Sequence, residues 1–195
     1  MSRFAETTRE TKETKIRVAL ELDGSGKSEI QTGIGFFDHM LEAFAKHGLF
    51  DLTIQVDGDL QVDDHHTIED TGLVLGQAIR EAVGDKAGIR RYGSRILPMD
   101  EALVLCSLDL SGRPWFSFDG TFRAEKCGEM GTQMVTEFFY SVAVQAAMNL
   151  HMKILDGQND HHKIEALFKA FARSLDEATG IDPRIKGVMS TKGTI

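Results

Sequence analysis

Residues 14–22, Thr-Lys-Ile-Arg-Val-Ala-Leu-Glu-Leu, put Ile16, Val18, Leu20 and Leu22 on one side and predict a half-buried strand. Asp23-Gly24-Ser25-Gly26 predicts a turn, with a short return strand over residues 28–32. Residues 36–47 predict a helix, with Phe37, Met40, Leu41 and Phe44 at helical spacing and Gly48 as its stop. Residues 50–56 alternate as a strand, and a second helix over 68–83 carries Leu75, Ile79, Ala82 and Val83 on one face. The series then recurs. A strand is expected over 102–110, its hairpin partner over 114–118, a helix over 132–149 and a strand over 150–155. A last helix over 165–178 follows Ile164 and carries Leu167, Phe168, Phe171, Ala172 and Leu175 along one stripe.

The recurrence is also literal. Asp64-His65-His66-Thr67-Ile68-Glu69 returns as Asp160-His161-His162-Lys163-Ile164-Glu165, 96 residues later, and an apolar helix follows each. The expected fold is α+β, a duplicated strand-rich unit with two helices, its two pseudo-equivalent halves packed as one body. The seam falls near residues 84–92, dividing the chain into residues 1–88 and 89–195.

Composition narrows the function. The 195 residues hold 22 Lys and Arg against 30 Asp and Glu, a net charge of −8, which argues against nucleic acid or an anionic membrane surface as partner. A local basic pocket for a small anion stays open. Cys106 and Cys127 lack paired spacing, so a reducing, cytoplasmic setting is expected rather than a disulfide framework. The polar start, residues 1–15, has no signal-like apolar stretch, and no run approaches a membrane span.

The candidate chemistry lies in the histidines. Four of the seven sit in the two His-His pairs. On a helix His65 and Glu69 share a face, as do His161 and Glu165, while the second His of each pair turns about 100° away. Each motif therefore offers a His-plus-Glu clamp to one ion and an extra His to another, giving two centres. Imidazole and carboxylate ligands without thiolate favour Mn or Fe, with Zn also suited. Aligning the repeats sets His39 opposite Glu137, each a candidate further ligand; Glu137 also reads as a first-turn helix carboxylate favoured by the helix dipole. Gly26-Lys27-Ser28 is not a phosphate loop, since Glu21 stands where the first Gly is needed.

Four strings, Gly35-Phe36-Phe37-Asp38-His39-Met40-Leu41, Asp64-His65-His66-Thr67-Ile68-Glu69-Asp70, Asp109-Leu110-Ser111-Gly112-Arg113-Pro114 and Asn159-Asp160-His161-His162-Lys163-Ile164-Glu165, resemble the imidazoleglycerol-phosphate dehydratase family. The likeness runs in register over residues 9–192 and matches the monofunctional form. It implies a four-stranded-sheet and two-helix unit, duplicated, of the ribosomal protein S5 domain 2-like kind. It further implies a homo-oligomer of 24 subunits built from trimers, with two Mn2+ per active site at subunit interfaces. One ion would take His39, His66, His161 and Glu165; the other His65, Glu69, Glu137 and His162.

The implied reaction is loss of water from imidazole glycerol phosphate, giving imidazole acetol phosphate through an imidazolate and a diazafulvene. The resemblance makes Glu13 the acid/base carboxylate, beside Glu165, His65 and His161. Substrate would also meet His39, Arg91, Arg113, Lys169, Ser190 and Lys192, with the polar tail of residues 187–194 ordering over the phosphate. Two other readings compete: a manganese phosphodiesterase, and a metal-storage or metal-assembled shell. The first needs further Asp-rich motifs, whereas residues 57–64 are the only acidic cluster of that kind. Arg113 and Lys192 argue against the second.

Overall fold

The computed structural model describes residues 3–195. The first half contains β1 (Phe4–Glu10), β2 (Thr14–Glu21), β3 (Ser28–Gln31), α1 (Gly35–Gly48), β4 (Asp51–Gly58) and α2 (His65–Val83). The second contains β5 (Tyr92–Met99), β6 (Ala102–Asp109), β7 (Trp115–Asp119), the two-residue strands β8 (Lys126–Cys127) and β9 (Met130–Gly131), α3 (Gln133–Gln145), β10 (Asn149–Asp156) and α4 (Asp160–Thr179). The sheets have orders β1-β2-β4-β3 and β5-β6-β10-β7, and β8 pairs with β9. In both large sheets the first two ladders are antiparallel and the last is parallel. The duplicated α+β fold is thus carried by topology as well as by letters. Among the described residues no helix is long and apolar enough to cross a membrane.

Several local expectations change. The residue 28–32 segment does not return along β2; β3 runs parallel to β4 at the sheet edge. Likewise β7 is not a hairpin partner of β6: it crosses to the far side of β10 and pairs with it in parallel. The third helix ends at Gln145, not 149, because Asn149 already belongs to β10. Two strands, β1 and β5, fall where no alternation was legible. The inward side of β1 offers Ala5 and Thr7, and that of β5 begins with Gly93. Gly48 is the last residue of α1, and the left-handed position is Leu49, at φ 59°. Gly48 is small for another reason: a Cβ there would lie 2.2 Å from the Phe50 ring.

The helices fill the space between the two sheets. α2 lies on β1 and β2, and α4 on β5 and β6. Each of the other two helices crosses over: α1 packs on α4, and α3 on α2. Both pairs are parallel. Phe36 meets the His161 ring and Phe44 stacks on Phe171, with centroids 5.1 and 5.4 Å apart, and Arg173 donates to the His47 carbonyl. In the other pair a Cβ on Gly72 would sit 2.8 Å from the Phe138 carbonyl oxygen, and one on Gly76 2.6 Å from that of Val142. Phe37, Phe138, Phe139, Phe168 and Phe171 interlock in the middle. Burial of such rings is the main stabilising contribution, on the order of 2–3 kcal/mol each.

Gly93 is where α4 and β5 approach most closely: a Cβ there would lie 1.9 Å from the Ser174 carbonyl oxygen, a backbone atom. Gly93→Ala should therefore lower stability by about 3 kcal/mol. Chemical denaturation would measure it, and an unshifted midpoint would show that the approach is looser than described.

Candidate functional site

The periodicity predicts the second and fourth helices from Ile68 and Glu165, but they start earlier, at His65 and Asp160. Both His-His motifs are thus first turns. The backbone N–H of His65 donates to Asp63 Oδ1 and that of His161 to Asn159 Oδ1, the same arrangement in each repeat. The repeated aspartates are ties, not members of the donor cluster. Asp64 accepts from the Gly131 N–H, and buried Asp160 from those of Arg123 and Ala124, fastening the 120–131 segment between the two helix starts.

Because α1 and α4 run side by side, His39 meets His161 and Glu165. The donor atoms of these three lie within 4.8 Å of one another, with Glu165 Oε2 3.1 Å from His161 Nε2 and 3.7 Å from His39 Nε2. Lys169, one turn on, holds the other oxygen of Glu165 at 2.6 Å. Burial opposes ionisation of Glu165, yet the bonds from Lys169 and His161 outweigh it and keep its carboxyl below the ordinary range. In the other helix pair His65 Nε2 lies 3.3 Å from Glu69. The contacts of Gly72 and Gly76 set a register that puts Glu69 level with Met134 and Glu137. Glu137 falls in the second turn of α3, so the first-turn dipole reading of it is not met. It does not join a three-donor cluster with His65 and Glu69; His39, His161 and Glu165 form the only such group among the described residues.

The second histidines point elsewhere, as the 100° rotation requires: the rings in each pair are 6.0 Å apart and nearly perpendicular. Each ring is held at Nδ1 by a carboxylate, His66 by Asp59 at 3.0 Å and His162 by Glu101 at 2.7 Å. His66 Nε2 faces Glu13 at 3.9 Å, and His162 Nε2 faces Asp100 at 3.6 Å. Glu13 ends the β1–β2 turn and Asp100 and Glu101 form the β5–β6 turn, so the two turns play matching parts. Sequence reasoning passed over Asp59, Asp100 and Glu101. The signal was available, since a ligating imidazole needs a partner on its other nitrogen. Hydrogen bonds from His162 and from the Asn159 and Gln158 N–H groups pull the Glu101 carboxyl down to about 2. Glu101 raises His162 in return, and Asp59 raises His66.

Arg91, Ser111, Arg113, Ser190, Lys192 and Thr194 line a cavity of about 590 Å³. Arg91 is largely committed there. Its fork takes Asp109 at 2.6 and 2.9 Å, and Nη1 donates to the Met189 carbonyl, at a strained φ of 74°. Among the described residues Arg113 and Lys192 make no ion pair, which leaves their charge available to the cavity. This cavity is far from the histidine cluster of the same chain. Arg91 bonds to Ala178 at the end of α4, whereas His161 begins that helix, and β5 runs from Tyr92 to Met99 beside Lys169. Either path gives a separation of roughly 25 Å.

A family model described as imidazoleglycerol-phosphate dehydratase matches residues 32–175. Imidazoleglycerol-phosphate dehydratases of Lachnoclostridium phytofermentans and Acetivibrio thermocellus are 63% and 60% identical over the whole of both chains. A crystal structure of the Staphylococcus aureus enzyme has a TM-score of 0.83 at 38% identity, covering 92% of this chain and 99% of that one. That of the Pyrococcus furiosus enzyme in complex with (S)-C348 has a TM-score of 0.83 at 37% identity, covering 97% and 100%. The chain belongs to the imidazoleglycerol-phosphate dehydratase family.

Glu101→Gln removes the anion from His162 Nδ1 while keeping an acceptor, so the titration of His162 should move down towards the ordinary imidazole range. The His162–Glu101 ion pair contributes stability below the raised His162 pKa and loses it as pH rises through that value. At the acid end its contribution fades as pH falls towards about 2, where Glu101 protonates. NMR of the His162 ring proton in metal-free protein measures this; an unmoved titration would mean that the contact does not form.

Proposed function

We propose that this family member is a hydro-lyase that converts imidazole glycerol phosphate to imidazole acetol phosphate, with two divalent cations in each site. The observation that carries the reading is the preassembled His39–His161–Glu165 cluster, with the His65–Glu69 pair at the corresponding place on the other helix pair. The donor set fits a divalent ion. It is all imidazole and carboxylate, as suits Mn or Fe, and the second histidines are tied at Nδ1 with Nε2 aimed outward. His39, His161 and Glu165 would hold one ion with a His66, and His65, Glu69 and Glu137 the other with a His162. Mn2+ is the proposed metal.

Neither His66 nor His162 reaches a cluster in its own chain, and the cavity with Arg113 lies roughly 25 Å from His161, more than twice the length of such a substrate. Both facts support a site completed by neighbouring copies, in line with a homo-oligomer and with the 24-subunit assembly expected of the family. The unit boundary proposed is after residue 88, with the tail assigned to the second unit.

The chemical difficulty is a carbon-bound proton that no carbonyl acidifies. Divalent cations held by these two donor sets would supply the positive charge that favours imidazolate over neutral imidazole. His39, His65, His161 and Glu165 hold the ring in place. Arg113 and Lys192 grip the phosphate with Ser190, while Arg91 latches the tail through Met189. Lys169 neutralises Glu165 and is a further proposed contact to the substrate. The ring's electrons expel the neighbouring hydroxyl, which takes up a proton and leaves as water, giving the diazafulvene. Glu13, on an exposed turn beside His66, removes the side-chain proton, and the enol returns to the ketone. The sum is substrate minus one water.

Chelation should abolish formation of the enolisable ketone from imidazole glycerol phosphate, and Mn2+ should restore it. Arg113→Ala should raise KM by about tenfold or more with the metal content unchanged. Release of inorganic phosphate would point to the phosphodiesterase reading instead, and equal loss of metal would make Arg113 a structural residue.

A further inference from the structure

We propose that the two donor sets have diverged in charge, so that His65, Glu69 and Glu137 hold a divalent cation more tightly than His39, His161 and Glu165, with a preference for harder ions. The inference rests on reading both sets as metal sites and goes beyond it by ranking them. The halves correspond residue for residue. His39 and Glu137 are each the fifth residue of their helix, α1 and α3. His65 and Glu69 correspond to His161 and Glu165, and Lys169 to half-buried Leu73.

Topology is therefore shared while charge is not. One set has a single carboxylate, Glu165, whose second oxygen is bonded to Lys169 at 2.6 Å, both side chains being largely buried. Its charge sums to zero. The other has two carboxylates, and no lysine or arginine lies within 4 Å of Glu69 or Glu137 among the described residues. Its charge is minus two.

Against this stands preorganisation: the first set is already gathered within 4.8 Å, whereas Glu137 must be drawn in. Fixing one glutamate costs a few rotamers. A difference of two whole charges, one on a ligating side chain and one on the Lys169 ammonium bonded to the far oxygen of Glu165, is the larger effect, and ligand charge count sets divalent-ion affinity in oxygen-rich sites. Oxygen donors also favour Mn2+, whereas the imidazole-rich set suits Zn2+ or Fe2+. The duplication has thus produced one site that retains its ion and one that exchanges it.

The test is metal binding in the intact assembly, stripped of metal and titrated with Mn2+, with free Mn2+ read by electron paramagnetic resonance. Two classes of one ion per chain are expected, differing by about tenfold or more. Glu137→His and Leu73→Lys should each weaken the tight class alone, and Lys169→Met should tighten the weak one. With Zn2+ as competitor, the weak class should be lost from Mn2+ first. Two ions bound as a single class, or variants at 137 and 73 that shift the weak class, would overturn the ranking and leave the metal reading intact. Failure to bind Mn2+ at all would overturn both. If a variant does not assemble, the wild-type titration with Zn2+ competition still decides.

Discussion

Gly72 and Gly76 let the backbone of α2 press against that of α3, and the stacked rings of Phe44 and Phe171 seat α1 on α4 in the same parallel sense. Everything at the candidate site follows from this crossed pairing. If each helix packed on its partner from the same repeat, His39 would lie beside Glu69, and Glu137 beside Glu165. Exchange between halves instead gives each donor set one helix from either repeat. It also brings the starts of the paired helices to a common level, where backbone N–H groups, aspartate ties and imidazoles crowd together.

The same architecture underlies the proposal that the site is completed by a second chain. A strand and a helix that span the body necessarily separate what sits at their two ends, and here those ends carry the histidine cluster and the basic cavity. Neighbouring residues on a helix also face different directions, so His66 cannot join His65, nor His162 join His161. Asp59 and Glu101 then fix those outward rings instead of leaving them mobile, which suits groups that serve another molecule's site.

Much of this was legible in the sequence because duplication writes the signal twice. The repeated Asp-His-His-x-x-x-Glu string gave the clamps, the rotation of the second histidine and the match of His39 to Glu137. What escaped notice did so for physical reasons. The first turns of α2 and α4 hold chemistry in place of apolar residues, so hydrophobic periodicity begins only at Ile68 and Ile164. β5 starts its inward face with Gly93, because α4 needs the space, while Ile96 faces solvent, so the expected alternation is absent. The parallel placement of β7 depends on β10, some thirty residues later, which no local turn signal encodes. Arg91 was expected at the phosphate, but its partner Asp109 lies on β6, and only the fold reveals that its fork is already engaged.

The central claim is that a donor cluster within one chain is completed by a histidine from another, and complementation between two disabled chains tests it most directly. His39→Ala removes a residue from the cluster, and His66→Ala removes the residue donated to a neighbour. Each variant alone should be inactive. Co-expressed and purified as mixed assemblies, they should regain activity at roughly a quarter of the sites, wherever a His66→Ala chain keeps its own cluster and borrows His66 from its neighbour. Mixed assemblies as inactive as their parents would contradict the account, because all the ligands would then belong to a single chain.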